Sequence, residues 1–284
     1  MRNAFAEAVT EIADRNPQLI MLAGDIGKRL FNNFKEKHPH RFYNCGVAEA
    51  GMTGVAAGLA SCGLNPITYT ITPFNTLRCL EQIRLDVCYP DLPVIIVGTG
   101  SGLSYASLGA THHSMEDICI MRSLPNMHVI CPADTVEVKL AVSEALSLRR
   151  PTYIRLGKKG EPVVHKKTPK FLIGKGITVL NGSEIALLGV GTMLSVAMET
   201  ANLLKLKGDP EYGEYLSGDC TACHQIDGSY NGIPSIVGWD EESFIWVMHE
   251  YKEKYREHPV MQMMAGRLAN DEIAALAAYF ATLE

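Results

Sequence analysis

The segment Asn44–Ala60 reads NCGVAEAGMTGVAAGLA and consists almost entirely of small and apolar residues. Their spacing predicts a closely packed helix, in which Glu49 is the single acidic residue. A carboxylate with so few polar neighbours is costly to bury unless it is hydrogen-bonded, and a carboxyl group in an apolar site can stay protonated near neutral pH. Glu49 is therefore a candidate catalytic acid. The alternative is a solvated acid on the surface of the helix.

Short apolar runs alternate with helical stretches on both sides of this segment. The predicted strands are Gln18–Ala23, Pro66–Ile71, Leu92–Val97, Met127–Cys131 and Thr152–Leu156. The predicted helices are Met1–Asn16, Val47–Ser61, Phe74–Cys88, Ser114–Ser123 and Asp134–Ser147. This alternation predicts an α/β fold with a parallel sheet covered on both faces. In such folds ligands bind at the carboxyl ends of the strands.

The extended segment FYNCGVAEAGMTGVAAGLA, Phe42–Ala60, resembles a known family signature. The signature is F-x-x-x-G-[IV]-A-E-x-x-M-x-G-x-A-A-G-L-A, from the pyrimidine-binding domain of the transketolase family of thiamine-diphosphate enzymes. The resemblance implies that residues 1–160 form this domain. It also implies that Glu49 hydrogen-bonds N1′ of the cofactor's aminopyrimidine and promotes the imino tautomer that deprotonates the thiazolium carbon.

Two further segments carry the same resemblance. FNTLRCLEQIRLDVCY, which begins at Phe74, is similar to the family's F-x-x-x-R-x-x-[DE]-Q-I-R-x-D pattern. The match implies that Phe74 stacks on the pyrimidine ring, whereas the local sequence alone fits a core phenylalanine equally well. GATHHSMED resembles G-x-T-H-[QH]-x-x-E-D, which lines the substrate channel, and implies that His112 and its neighbour His113 lie near the sugar. The alternative is a histidine that caps the next helix, which suits His113 better than His112. Leu108 stands where typical transketolases carry an aspartate that binds a hydroxyl of the donor sugar.

The Mg²⁺ that accompanies thiamine diphosphate is held in this family by a Gly-Asp-Gly motif with an asparagine downstream. Gly24-Asp25-Ile26-Gly27 does not match that motif. The resemblance therefore implies the pyrimidine-side subunit of a split transketolase, in a dimer or heterotetramer. A separate diphosphate-binding subunit would supply the Mg²⁺. The implied reaction is the transfer of a two-carbon ketol unit between sugar phosphates.

Residues 161–207 are predicted to form a linker followed by a truncated transketolase C-terminal domain. Lys158–Lys170 is polar and contains prolines, as linkers do. Phe171–Gly182 then predicts a hairpin-like lead, Glu184–Gly189 a strand and Thr192–Lys207 a helix. This resembles the first β-α unit of the family's C-terminal domain, but the further units do not follow. A parallel strand without neighbours leaves its backbone groups unpaired, so we expect loose packing here.

The character of the sequence changes at Gly208. Cys220-Thr221-Ala222-Cys223-His224 is the C-x-x-C-H pattern of covalent haem attachment, in which two thioether bonds hold the haem and the histidine ligates the iron. A zinc half-site or a redox dithiol is the alternative. No second cysteine pair lies nearby in the sequence, and the adjacent histidine favours haem.

Residues 208–284, which include GDPEYGEYLSGDCTACHQIDG and REHPVMQMMAGRLANDEIAALAAYF, resemble a class I c-type cytochrome. They are most similar to the cytochrome subunit of flavocytochrome c sulfide dehydrogenase. The resemblance implies a small all-α domain with haem c bound to Cys220 and Cys223, and with His224 as an axial ligand of the iron.

In this cytochrome class the distal ligand is a methionine that precedes the last helix. The spacing to that helix favours Met261, with Met263 and Met264 as rivals. His249 and His258 are weaker alternatives. Any one of these methionines could instead fill the core.

Composition excludes several classes of protein. A chain of 284 residues with 47% hydrophobic content can bury a sizeable core and form two or more domains. A net charge of −5 leaves no basic surface for nucleic acid or an anionic membrane, and no apolar run reaches membrane-spanning length. The N-terminal segment lacks the apolar core of an export signal and predicts a cytoplasmic protein, whereas haem attachment predicts the periplasm.

Three functional hypotheses follow. The chain is a transketolase-like subunit fused to an electron-carrier domain, or only the cytochrome part functions, as a one-electron carrier with a redox partner. A third hypothesis joins the two, with electrons passing from an oxidised thiamine-bound enamine to the haem. The conflict between cytoplasmic and periplasmic features favours a chimeric or accidental fusion.

Overall fold

In a computed structural model, which describes residues 1–182, 185–204, 208–228 and 232–283, the chain divides into two units. They are Met1–Ala197 and Met198–Glu284, and each has its own hydrophobic core.

The first unit is built on a six-stranded sheet with the strand order β2-β1-β3-β4-β6-β5. The strands are β1 Leu19–Ala23, β2 Phe42–Asn44, β3 Asn65–Ile71, β4 Ile95–Thr99, β5 His128–Ile130 and β6 Thr152–Leu156. All neighbouring strands run parallel, so the predicted parallel sheet is confirmed. Every residue of β1, β3 and β4 is buried, as expected for strands covered on both faces.

Helices cover both faces of this sheet. They are α1 Arg2–Ala13, α2 Asn32–Lys37, α3 Glu49–Ser61, α4 Thr72–Asn75, α5 Leu80–Gln82, α6 Asp117–Ser123 and α7 Thr135–Leu148. One core contains Phe5 of α1 and Val138 of α7, and a second core contains Met52 of α3 and Met121 of α6. The loops that follow the strands meet at the carboxyl edge of the sheet.

The helix predicted over Phe74–Cys88 is interrupted. It consists of α4, a 3₁₀ turn, α5 and a π-helical turn over Ile83–Cys88. The break falls at Thr76, whose φ of −125° and ψ of −79° are not helical. Asn75 beside it is fully buried and donates to the carbonyl oxygens of Thr68 and Val97. Because such polar side chains bond the backbone directly, they compete with the helical pattern.

No strand or helix forms in the described residues between Leu156 and Gly191. The predicted hairpin at Phe171–Gly182 and the strand predicted over Glu184–Gly189 are therefore wrong for residues 171–182 and 185–189, and Glu184 itself lies outside the described residues. No neighbouring strand pairs with them, and an unpaired strand cannot satisfy its backbone groups. The predicted helix is present as α8, Leu194–Leu203, and its predicted last residues, 205–207, lie outside the described residues.

Hydrogen bonds nevertheless hold the segment that follows β6 against the N-terminus of α7. Asp134 caps α7 with one carboxylate oxygen, and its other oxygen accepts the backbone N–H groups of Val164 and His165, both at 2.9 Å. His165 Nε2 also donates to Glu137 Oε1 at 2.6 Å. Although burial raises the pKa of Asp134, its backbone N–H donors outweigh that effect and hold the pKa below the ordinary value. These contacts form a clasp of Asp134, Glu137, Val164 and His165.

The described residues of the second unit form helices and no strand. Besides the end of α8, the helices are α9 Pro210–Leu216, α10 Gly218–Thr221, α11 Glu241–Lys252, α12 Pro259–Arg267 and α13 Asn270–Thr282. Their core is small and centres on Phe244, Met248, Leu276 and Phe280.

Two glycines let the chain around α9 approach α13 closely. A Cβ atom on Gly208 would lie 2.0 Å from the carbonyl oxygen of Ala274, and one on Gly213 would lie 2.0 Å from that of Ala275. Both separations are far below van der Waals contact, so only glycine fits at these positions.

Candidate functional site

Glu49 is the first residue of α3, and its side chain is 1% exposed. Its carboxylate therefore lies at the positive end of the helix dipole. Gly24, which follows β1, makes room for it, since a Cβ atom there would lie 3.2 Å from Glu49 Cγ. The alternative of a solvated surface acid is wrong.

Arg78 is the partner of this buried carboxylate. Its Nη1 donates to Glu49 Oε2 at 2.6 Å, while 42% of the Arg78 side chain remains exposed. Sequence reasoning gave Arg78 no role, although it is the arginine of the F-x-x-x-R pattern. Local spacing could not have revealed it, because the helix breaks at Thr76 between Phe74 and Arg78 and the fold alone brings Arg78 to Glu49.

A row of planar side chains extends from Arg78 through Phe74 and His112 to Tyr105. The guanidinium carbon of Arg78 lies 4.1 Å from the centroid of the Phe74 ring. Phe74 and His112 meet edge to face with centroids 5.0 Å apart, and His112 lies 6.1 Å from the ring of Tyr105. The structure thus brings together Glu49, Phe74 and His112, which the sequence singled out separately. Phe74 is only half-buried and contacts polar side chains, unlike a core phenylalanine.

A cleft lies beyond this row. Lys158 Nζ is 4.3 Å from the Tyr105 ring centroid and donates to the carbonyl oxygen of Ser104. The cleft is lined by Ser104, residues 157–162, Thr192 and Ser195. Lys158 and Lys159 carry ammonium groups, and the carboxylate of Glu161 in the same lining pairs with the N-terminal ammonium at 2.9 Å. The net charge of the cleft therefore favours an anionic group.

Asp117 anchors the loop that carries His112. Its Oδ2 accepts from the Tyr153 hydroxyl at 2.6 Å and from Arg155 Nε at 2.8 Å. Arg155 also donates to the carbonyl oxygen of Ser114, two residues after His112. Burial, and secondly the charge of Asp117, raise the pKa of Tyr153 well above its ordinary value, so the tyrosine stays protonated. Asp117, the last residue of the T-H-H-S-M-E-D segment, therefore has a structural role, because it orients the arginine that holds the loop.

Within the described ranges, no group of three or more His, Cys, Asp or Glu side chains could hold a metal ion. Asp25 of the Gly24–Gly27 segment accepts from Asn44 Nδ2 at 3.0 Å, and Lys28 Nζ lies 3.6 Å from it.

Cys220, Cys223 and His224 lie together in the second unit, at and just beyond α10. The backbone N–H of His224 donates to the carbonyl oxygen of Cys220, and both thiols are free. Burial raises the pKa of the Cys220 thiol to about 11, whereas Cys223 is exposed. His224 Nδ1 donates to the carbonyl oxygen of Pro234 at 2.6 Å. This hydrogen bond fixes the tautomer that leaves Nε2 as the basic nitrogen.

The predicted distal ligands lie on other helices of this unit. Met261 is half-buried against the core, Met264 is half-buried and Met263 is exposed. His258 caps α12, because the backbone N–H of Met261 donates to its Nδ1 at 3.2 Å. Burial lowers the pKa of His249. Of the helices that the structure describes, none is both long and apolar enough to cross a bilayer.

The fold and the first site together define a class of protein: a parallel α/β domain with a buried acid at a helix N-terminus and an aromatic ring beyond a neighbouring strand. The family model for the transketolase pyrimidine-binding domain matches residues 1–161, and the chain belongs to this family. That match ends before the second unit, where the resemblance to a cytochrome stays a prediction.

Similar proteins agree with this assignment. One subunit of the apulose-4-phosphate transketolase of Phocaeicola vulgatus is 30% identical over 73% of this chain and 67% of its own length. The 6-deoxy-6-sulfo-D-fructose transketolase subunit SqwH of a Clostridium species is 33% identical over 73% of this chain and 65% of its own. A solved structure of a split gene transketolase, described as an inactive β4 tetramer, is 36% identical with a TM-score of 0.66, over 72% of this chain and 66% of that one. The chain thus spans about two-thirds of each relative.

Proposed function

We propose that this chain is the pyrimidine-binding subunit of a split, thiamine-diphosphate-dependent transketolase that transfers a two-carbon ketol unit between sugar phosphates. The observation that carries the proposal is the buried carboxylate of Glu49, which faces a planar cation stacked on the Phe74 ring. A site of this form suits a flat, nitrogen-rich ring that needs one hydrogen bond and one aromatic face.

The residues of the site have distinct roles in this proposal. Glu49 holds the proton that is shared with N1′ of the aminopyrimidine, Phe74 stacks on the ring, and His112 contacts the sugar. When bound, thiamine diphosphate supplies a thiazolium carbon that can be deprotonated to attack a sugar carbonyl. Lys158 and Lys159 line the cleft beyond His112 and would attract the phosphate of the sugar.

A partner subunit completes the proposed enzyme. It would bind the diphosphate and the Mg²⁺ in a dimer or heterotetramer. The proposal is supported by the relatives, which are named as transketolase subunits, and by the split transketolase whose β4 tetramer is described as inactive. Val47, Val55 and Tyr89 expose 74%, 52% and 81% of their surface around α3 and the following helical segment, as expected where another chain docks.

Ketol transfer by the purified full chain, with and without an added diphosphate-binding transketolase subunit, tests this proposal. We expect no turnover from the chain alone and turnover with the partner. Glu49→Gln should abolish turnover with the partner, whereas Glu11→Gln, at an exposed acid of α1, should leave it unchanged. Full activity of Glu49→Gln would contradict the proposal.

We also propose that the second unit binds haem c. The specific observation in its favour is the hydrogen bond from His224 Nδ1 to the Pro234 carbonyl oxygen, beside the free thiols of Cys220 and Cys223. The two thiols would form the thioether bonds, His224 Nε2 would ligate the iron, and Met261 would be the distal ligand. The haem would supply one-electron redox chemistry, and it would also enlarge a small core.

Covalent attachment is measured by a reduced-minus-oxidised visible spectrum of the denatured chain after solvent extraction. We expect the haem bands to stay with the polypeptide when the chain is produced with a haem-attachment system in an oxidising compartment. A Cys220→Ala/Cys223→Ala variant should lose them, whereas Cys62→Ala, at an exposed cysteine of the first unit, should retain them. Bands that are fully extracted from the unaltered chain would contradict the proposal.

A further inference from the structure

Arg78 makes two contacts at the candidate active site, and both use its guanidinium group. One is the hydrogen bond of 2.6 Å from Nη1 to Glu49 Oε2. The other is the stacking contact with Phe74, at 4.1 Å from the guanidinium carbon to the ring centroid. A guanidinium is planar, carries several N–H donors and stacks well on aromatic faces.

These are the same two contacts that the proposed function assigns to the aminopyrimidine ring of the cofactor. A group that stacks on Phe74 and also hydrogen-bonds Glu49 has to lie between the two side chains, and the guanidinium fills that space in this structure. We propose that Arg78 occupies the place of the aminopyrimidine in the free chain and must leave before that ring can bind. The inference rests on the proposed function, because it takes Glu49 and Phe74 as the site of the ring.

The surroundings of Arg78 make this displacement feasible. Its side chain is 42% exposed, whereas that of Glu49 is 1% exposed, so the arginine can move into solvent while the carboxylate stays in place. Arg78 also lies just after the break in the helix at Thr76, where the backbone leaves helical geometry.

The electrostatics explain why the free chain would need such a group. A buried carboxylate without a partner is strongly destabilising, and Arg78 provides the partner until the ring arrives. The arginine therefore stabilises the empty site and competes with the ligand that fills it. Its removal should strengthen ring binding, because the free chain then gives up no internal ion pair and gains a partner for Glu49.

Titration of the full chain with the aminopyrimidine alcohol that forms the pyrimidine half of thiamine tests the inference, with binding followed by NMR. This probe lacks the diphosphate, so no partner subunit is needed. We expect Arg78→Ala to bind it about tenfold more tightly than the unaltered chain, which corresponds to about 1.4 kcal/mol. Arg122→Ala, at an exposed arginine of α6, should bind like the unaltered chain.

Two further measurements separate competition from a purely structural role. Arg78→Lys keeps the charge but loses the planar group that stacks, so its affinity should lie between those of the unaltered chain and Arg78→Ala. In the unaltered chain, the side-chain N–H signals of Arg78 should shift towards those of a solvated arginine as the probe binds.

The outcomes distinguish this inference from the proposed function. If Arg78→Ala binds the probe equally or more weakly while Glu49→Gln weakens binding, Arg78 does not compete and the inference is overturned, but the pyrimidine site stands. If Glu49→Gln leaves binding unchanged, or no variant binds, both are overturned. Thermal unfolding of each variant shows whether lost binding reflects lost folding.

Discussion

The rings of Phe74 and His112 meet edge to face, with centroids 5.0 Å apart and an interplanar angle of 69°. The two residues lie 38 positions apart in sequence, at the carboxyl ends of β3 and in the loop after β4. Because these strands are neighbours in the sheet, the loops that follow them converge. The Phe74 ring thereby contacts both His112, which is proposed to bind the sugar, and Arg78, which pairs with Glu49.

The first prediction concerns this ring. Phe74→Leu keeps an apolar side chain but removes the aromatic face, so the chain should bind the aminopyrimidine alcohol about fivefold more weakly. Tyr89→Leu removes an aromatic ring that is 81% exposed and should leave the affinity unchanged. NMR titration measures both. Equal affinities of Phe74→Leu and the unaltered chain would rule out stacking on this ring.

The second prediction concerns the buried network of Asp117. Asp117→Asn removes the charge that pairs with Arg155, whose guanidinium then stays partly buried without a counter-charge and keeps only its hydrogen bond to the Ser114 carbonyl oxygen. We expect the free energy of unfolding of the first unit to fall by about 3 kcal/mol. Asp86→Asn, at an exposed acid, is the matched control. Hydrogen exchange of β4 and β6 under native conditions measures the change, and identical protection in both variants would show that the network contributes little.

The third prediction is a dependence of stability on pH. Burial raises the pKa of Tyr69 from 10.0 to about 12. Since the folded-state pKa is the higher one, its contribution to stability is complete below pH 10 and is lost as the pH rises towards 12. Tyr69→Phe should remove this part of the alkaline destabilisation, by about 1.4 kcal/mol for each pH unit in that interval. Tyr89→Phe, at an exposed tyrosine, should retain it.

Urea unfolding followed by far-UV circular dichroism at several alkaline pH values measures this effect. Parallel curves for Tyr69→Phe and the unaltered chain would mean that the Tyr69 hydroxyl does not control alkaline unfolding.

The fourth prediction concerns the contact between α9 and α13. Gly213→Ala places a methyl group where the Ala275 carbonyl oxygen already lies, so we expect it to destabilise the second unit by about 2 kcal/mol. Gly218→Ala has open space and should be neutral or stabilising. The chain has two tryptophans, at positions 239 and 246, so their fluorescence follows unfolding of this unit alone. Coincident curves for Gly213→Ala and Gly218→Ala would disprove the close packing.

Much of the first unit follows from its sequence. The buried strands are continuous apolar runs, and the alternation with helices indicates parallel pairing. β2, however, was not predicted, because Phe42–Asn44 is mostly exposed and contains no apolar run. The break at Thr76 was missed as well, since it depends on hydrogen bonds of Asn75 to strands that are distant in sequence.

The site was predicted as separate residues rather than as an arrangement. Glu49, Phe74 and His112 stand out through motifs, but Arg78 is recognisable only once the fold brings it to Glu49. The clasp was missed for a similar reason. Lys158–Lys170 has the composition of a linker, and composition does not reveal that two of its backbone N–H groups bind a carboxylate oxygen of Asp134.

The clasp holds the chain that follows β6 within the first unit, which extends to Ala197. Because Asp134 and Glu137 secure the polypeptide as far as His165, tension or rearrangement beyond that point is not transmitted to the loop that holds Lys158. Exchange of the downstream part for an unrelated module, by recombination or by engineering, therefore leaves the ligand-binding half intact only if it begins after Ala197, because Thr192 and Ser195 still line the cleft.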